Sequence, residues 1–298
     1  MKSYLLPAML CLATIPLLAQ ATLVKDINPG IGNGLSDFKE ALIPFQGKLF
    51  FRADDGVKGE ELWVSDGTTA GTMMLKDINA GSGSSAPDFF TVLNDKLFFI
   101  ADDGAAGNEL WVTDGTPDGT QLHFEFGLGI FGLDVSFMGV VNNHLIIKSV
   151  TGMGPVGKMW SGDANGENFV SLANVYNGIQ PEVAASVTRL FFTDEEDNLR
   201  VSDGTVAGTS VVFEPLDFFN TYNPMTIIGD KLYFGYGQSI YGTEPWVSDG
   251  TPAGTFELNE FLPGGYDGGT PMFFTGYQDH VYFRANSHMW RTDGTVAG

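Results

Sequence analysis
The chain has 298 residues, 36 acidic against 15 basic side chains, and a formal net charge of -21. Such an acidic surface lacks the basic field that phosphate backbones require, which argues against a nucleic-acid partner. Hydrophobic residues make up 43% of the chain, with 24 Phe, enough for a packed core rather than a disordered chain.

The first segment reads as a targeting signal. Lys2 supplies a positive charge, residues 4–18 form an apolar run, and Ala19-Gln20-Ala21 is a small-x-small cleavage pattern. A membrane anchor would need about 20 apolar residues. This run is shorter and is broken by Pro7 and Pro16. The expectation is export with cleavage after Ala21, to a secreted, periplasmic or cell-surface location. No later segment reads as a membrane span. The single cysteine, Cys11, lies inside the signal, so residues 22–298 have no thiol for a disulfide, a metal or nucleophilic attack.

Repeats fill the remainder. Glu61-Leu62-Trp63-Val64-Ser65-Asp66-Gly67-Thr68 returns at 109–116 and, with Pro245 in place of Leu, at 244–251. A shorter form runs from Met289 to Thr295, and degraded forms contain Trp160 with Asp163 and Arg200 with Asp203. The tryptophan slot therefore falls at Trp63, Trp111, Trp160, Arg200, Trp246 and Trp290, and every tryptophan of the chain occupies it. Three residues later stands Asp66, Asp114, Asp163, Asp203, Asp249 or Asp293.

Each unit predicts four strands. In the second, Asp88–Leu93, Lys96–Ala101, Glu109–Thr113 and Gln121–Phe126 are β-prone runs separated by Asn94-Asp95, the Asp102-Asp103-Gly104 loop and the Asp114-Gly115 turn. A four-stranded unit of this length is the signature of a β-propeller blade; a β-helix is the rival, with shorter coils. A blade cannot bury both its faces alone. The indoles, each covering about 150–250 Å², supply the filler between blades, on the order of 3–5 kcal/mol apiece by area. Arg200 thins that packing in the fourth unit unless its stem packs and its head reaches water.

Lys25-Asp26-Ile27-Asn28 repeats Lys76-Asp77-Ile78-Asn79, the stretch that follows the first Asp-Gly-Thr. Aligned on the lysines, Gly298 continues into Ala21. The expectation is an all-β, six-bladed propeller of four-stranded antiparallel blades spanning 22–298 as one domain. Its last blade is built from 270–298 plus 22–27, so that the N-terminal strand closes the ring. The alternative is a chain that runs on into further repeats and a larger ring.

The runs ELWVSDGTTAGT at 61–72, ELWVTDGTPDGT at 109–120 and EPWVSDGTPAGT at 244–255 resemble the ELWxxDGT-repeat proteins of bacteria. The resemblance covers nearly all of 22–298. It implies an exported propeller and no catalytic residue.

Turn formation and burial account for the repeated Asp and Trp positions. Asp54 and Asp55 with Glu60 and Glu61, and Asp102 and Asp103 with Glu109, gather carboxylates in two loops; the four Asp are the candidates for calcium, and solvated acidic turns are the plainer reading. Asp194-Glu195-Glu196-Asp197 is a further acidic run, and no histidine stands in a zinc pattern. No other cofactor is expected. Connections between second and third strands, and between blades, vary most: 152–156, 238–241 and 264–267 are examples. They share one face of the disc, where variable loops on a rigid frame carry recognition. The favoured function is non-enzymatic binding of a protein or glycan on that face. The alternative is a hydrolase or lyase acting on an extracellular polymer through acids there.

Overall fold
The computed structural model describes residues 21–29, 32–35, 42–126, 132–150, 156–176, 183–214, 225–237, 243–259, 269–295 and 297–298. The expected signal, and the loop stretches 152–155, 238–241 and 264–267, lie outside them.

The protein is all-β, with six antiparallel sheets met in chain order. The first blade is β1 (Ile43–Phe45), β2 (Lys48–Asp54), β3 (Glu60–Ser65) and β4 (Met73–Lys76); the second is β5 (Asp88–Leu93), β6 (Lys96–Asp102), β7 (Asn108–Thr113) and β8 (Gln121–Phe124). The third holds β9 (Asp134–Val141), β10 (His144–Val150), β11 (Val156–Gly162) and β12 (Val170–Tyr176). The fourth holds β13 (Val183–Ala185), β14 (Leu190–Thr193), β15 (Leu199–Ser202) and β16 (Ser210–Phe213). The fifth holds β17 (Thr226–Ile228), β18 (Lys231–Tyr236), β19 (Glu244–Ser248) and β20 (Thr255–Glu257), and the sixth β21 (Met272–Tyr277), β22 (His280–Ala285) and β23 (His288–Thr292). From the second blade onward, the first strands of neighbouring blades approach one another, which sets them on the inside of a six-bladed propeller.

Two-residue alternation assigns each side chain to one of two interfaces. In the first blade Phe50, Leu62 and Val64 face forward and meet Phe99 and Trp111 of the second blade; Phe51, Ala53 and Trp63 face backward. The second blade turns Phe98, Ile100, Leu110 and Val112 forward against the third, whose Trp160 packs on that cluster. Later interfaces repeat the arrangement, with Phe191 and Leu199 against Phe234 and Trp246, and Tyr233 and Val247 against Phe274 and Phe283. The slot residue also marks a register shift between the third and fourth strands at Leu62/Trp63, Leu110/Trp111, Met159/Trp160 and Leu199/Arg200. A bulge there twists the outer strand locally at the same point in each of these blades.

The Asp-Gly-Thr segment is more than a two-residue hairpin: the turn runs through 66–72 in the first blade. Asp66 Oδ1 accepts from Thr68 N (2.9 Å) and Thr68 Oγ1 (2.7 Å), and Gly71 N donates to Thr68 Oγ1 (2.9 Å). Thr72 Oγ1 meets Ser65 Oγ at 2.7 Å and Thr68 O at 2.7 Å. The same set recurs around Asp114, Asp203 and Asp249, and its Asp-Thr part around Asp293. Gly71 is fixed by space, since a Cβ there would lie 2.0 Å from Asp66 Oδ1. The third blade replaces the set: Asp163 Oδ1 accepts from Asn165 N and Glu167 N, and Oδ2 from Asn168.

The sixth blade departs from the expected four strands. Among the described residues β21–β23 form a three-stranded sheet, and 22–27 carry no ladder; that segment lies instead against the first blade.

Two outcomes follow. Thr120 is fully buried, its hydroxyl 2.8 Å from Thr113 Oγ1. Thr120→Val strands that partner and is expected to lower unfolding stability by about 1–3 kcal/mol in urea titration, with the Thr113→Val/Thr120→Val pair costing less than the sum of the single changes. The threonine hydrogen bonds hold Asp66, Asp114, Asp203, Asp249 and Asp293 below the usual carboxylate range, and Asn168 does so for Asp163. A depressed folded-state pKa gives stability that is present above the unfolded value, about 3.9 for Asp, and is lost as pH falls through the folded one. Urea midpoints should therefore drop below about pH 4, and Asp114→Asn should flatten that slope.

Candidate functional site
Antiparallel meander topology sends alternate connections to opposite ends of every blade. One end holds the first hairpin turns and the Asp-Gly-Thr turns. Those latter turns span 66–72, 114–120, 163–169, 203–209 and 249–254, nearly constant in length. The other end holds connections of unequal length. Between second and third strands the first four blades each use five residues, against 237–243 in the fifth and 286–287 in the sixth; between blades the connections run from 177–182 to 258–271. This uneven end is the candidate recognition face.

In the first two blades it is built from the Glu that opens the third strand. Glu61 is fully buried and accepts from Ile78 N (2.8 Å), Asn79 N (3.3 Å), Ser85 N (3.1 Å) and Ser85 Oγ (2.6 Å). It ties the linker between the first two blades to β3. Burial pushes its carboxyl upward, against those four donors. Glu109 holds the next linker through Phe126 N (3.1 Å) and is also pushed up by burial. Glu244 is buried at the matching position. Sequence reading grouped Glu61 and Glu109 with the loop carboxylates; the available signal for their anchoring role was an ionisable residue repeated within an apolar strand.

The calcium candidates turn inward on their own loops. Asp54 Oδ1 accepts from Gly56 N (2.7 Å), and Asp55 Oδ1 from Val57 N and Lys58 N (both 2.9 Å). Asp102 and Asp103 cap Gly104 N (2.7 Å) and Ala105 N (2.9 Å) in the same way. Lys58 pairs with Asp77, and Arg52 lies 3.6 Å from Glu60. Among the described residues no three acidic or imidazole side chains converge as metal ligands do.

Two concavities stand out. One, of about 170 Å³, lies between the third and fourth blades, beside the slot that Arg200 fills in place of an indole. Arg200 Nε donates to the buried Asp194 Oδ2 at 2.6 Å, and Asp194 Oδ1 also accepts from Glu196 N and Asn198 N at 3.0 Å. Arg200 is thus held by an ion pair with the acidic run rather than released to water. The other, about 450 Å³, lies on the sixth blade and is lined by Phe273, Thr275, Tyr282, Arg284, His288 and Met289. His123 belongs to packing: it meets Gly166 O at 2.7 Å and Phe98 edge-on, and burial lowers its pKa.

The tryptophans line successive interfaces rather than one site. Trp63 and Trp111 are buried, and Trp290 is 38% exposed. Trp160 Nε1 donates to Ser149 Oγ (2.9 Å) and Trp290 Nε1 to Ala285 O (3.0 Å). Trp246 packs against both Tyr236 and Phe213, which also meet each other.

No protein-family model matches the chain, and no curated protein matches it in sequence. Solved structures are similar in fold. One, from a study of two prolyl endopeptidases, aligns at 16% identity with a TM-score of 0.51, over 86% of this chain and 40% of that one. BamB from Moraxella catarrhalis aligns at 10% identity with a TM-score of 0.44, over 84% of this chain and 67% of that one. The present chain therefore spans less than half of the first protein's length. At 16% identity the likeness to the first of these supports the fold alone and says nothing about chemistry. No helix among the described residues is long and apolar enough to cross a membrane.

Because Asp54, Asp55, Asp102 and Asp103 already cap loop amides, calcium at millimolar concentration is expected to leave the melting temperature unchanged. A calorimetric scan with and without the ion checks this, since a ligand that binds only the native state raises it.

Proposed function
We propose that the chain is an exported binding propeller of the ELWxxDGT-repeat type, docking a protein or a glycan through its uneven loop face. One observation carries the reading. The Asp-Gly-Thr turns keep nearly one length and engage their donors within the turn, as in the first two blades, whereas at the opposite end the linkers between blades differ in length and sequence. Selection for packing alone would not diversify one end and hold the other constant. Buried Glu61 and Glu109 anchor the linkers that present this face. Variable loops on a rigid frame are the usual carriers of recognition. The apolar segment before Ala21 supports export.

The test has two parts. Residues 1–21 fused to a reporter that is active only outside the cytoplasm should export it, with the released product beginning at Thr22. The purified protein, applied to immobilised bacterial polysaccharides and to envelope-protein fractions, should bind at least one of them. Replacing 55–59 and 103–107 with Gly-Ser should weaken that binding at least about tenfold, a loss of ~1.4 kcal/mol, while Asp114→Asn leaves it intact. Binding that survives the loop replacements and is lost with the turn change would refute the assignment.

A further inference from the structure
The interface between the third and fourth blades is latched at one end and weakly held at the other. At the Asp-Gly-Thr end the third blade donates to backbone carbonyls of the fourth. Asn142 N bonds Val187 O (2.8 Å), Asn142 Nδ2 bonds Thr188 O (2.9 Å) and Asp203 O (3.0 Å), and Ser161 Oγ bonds Gly204 O (2.5 Å). Other interfaces carry the same kind of latch: Asn94 Nδ2 of the second blade donates to Ala164 O (2.7 Å), and Lys231 Nζ of the fifth to Gly294 O (3.1 Å). Backbone acceptors serve whichever donor the preceding blade offers.

The uneven end of this interface departs from the pattern of the others. The slot residue is Arg200, and the position two residues beyond its cross-strand partner changes with it. That position holds Ala53, Ala101, Ser149, Tyr236 or Ala285 beside a tryptophan, and Asp194 beside Arg200. An ion pair thus stands in place of an indole, with Asp194 3% exposed. Such a pair loses in hydration about what it gains in attraction, whereas an indole brings its apolar area to the interface. Lys148, 2% exposed, adds a further buried charge on the Met159 side. The notch of about 170 Å³ lies beside Arg200, and atoms lining a void lose their packing partners. The linker anchor changes as well. Glu61 and Glu109 tie the linkers that leave the first two blades; the matching residue of the third is Lys158, which lies over the Trp160 ring, 4.9 Å from its centroid. At this end Glu195 N donates to Asn174 O (3.2 Å) and Asn174 Nδ2 to Glu195 Oε1 (2.9 Å), between two exposed residues.

We propose that the third and fourth blades part at the uneven end and pivot on the Asn142 latch, as a local opening of the folded protein. Leu172 and Val175 on β12 lift from Leu190 and Phe192, and the notch beside Arg200 widens into a cleft. Val141, next to the latch, stays covered. Local opening takes least free energy where few apolar contacts and few protected hydrogen bonds are given up, and this end of this interface is where both are reduced. The movement is independent of what the uneven face binds, so it stands apart from the ligand reading and either could fail alone.

Val175 and Val141 provide the test, since both are 0% exposed in one apolar cluster, at its opposite ends. Ile78 holds the place of Val175 in the first blade and is 7% exposed. Each is changed to Cys in the full chain, on a Cys11→Ser background that leaves no other thiol, and is alkylated with iodoacetamide without denaturant. Alkylation follows the population of the open state when opening is fast. Val175→Cys should therefore react at least about tenfold faster than Val141→Cys and than Ile78→Cys. Equal rates at Val175 and Val141, or at Val175 and Ile78, would overturn the proposal. Amide exchange reads the same opening without substitution. The Glu195 and Asn142 amides both donate across this interface, at opposite ends. The protection factor of Glu195 should lie at least about tenfold below that of Asn142. Equal protection of the two would also overturn it.

Discussion

An antiparallel sheet four strands wide and about six residues long has two apolar faces, and neither can stay dry alone. Every other feature of this protein answers that constraint. Phe50, Leu62 and Val64 need a cover, and Phe99 and Trp111 of the next blade provide it; those residues' own sheet then needs a cover on its other face. The requirement passes from blade to blade, and only a ring ends it without an exposed face. The tryptophan slot recurs because one large flat ring on each backward face fills the wedge between two twisted sheets. Arg200 shows the consequence of losing it: the guanidinium cannot replace an indole, so the fourth blade brings the buried Asp194 against it and leaves a notch.

The Asp-Gly-Thr turns meet a second constraint. A reversal at the outer rim exposes polar backbone groups close to the apolar interior, and each must find a partner. Asp, Thr, Gly and the closing Thr supply one another with partners inside a single turn. The unit therefore copies without reference to its surroundings, and its sequence can stay constant while the blades around it drift. Its aspartates remain ionised because neighbouring Thr hydroxyl and amide groups donate to them. The buried Glu61 and Glu109 work the other way. They are carboxyl groups in a dry place, and Glu61 there accepts from several linker amides at once, where an apolar residue could accept from none.

How much of this could be read from the sequence depended on whether a residue's reason was local. The strands followed from β-prone runs between turn residues, and the Asp-Gly-Thr positions from their turn chemistry, although Ser65 and Thr72 closing the turn across six residues passed unnoticed. The packing between blades followed from the recurring tryptophan slot. What escaped was set by partners distant in the chain. Glu61 meets Ser85 in the next linker, Arg200 finds Asp194, and Asp54 and Asp55 engage their own loop amides. Each such choice is made in three dimensions among several chemically equivalent carboxylates. Sequence offers the carboxylates and not the selection.

The two ends of the blades are related through the same stacking. A blade held on both faces by neighbours has only its connections left to vary. At the Asp-Gly-Thr end the connection is itself a bonded unit, and the closing Thr72 or Thr120 reaches back to the strand through Ser65 or Thr113. A change of length there would break a buried hydroxyl pair. At the opposite end a single buried Glu holds each of the first two linkers, so the residues beyond its reach are released from packing. Variation in connection length thus gathers at this end, because stacking and the closed Asp-Gly-Thr turns leave little room for it elsewhere.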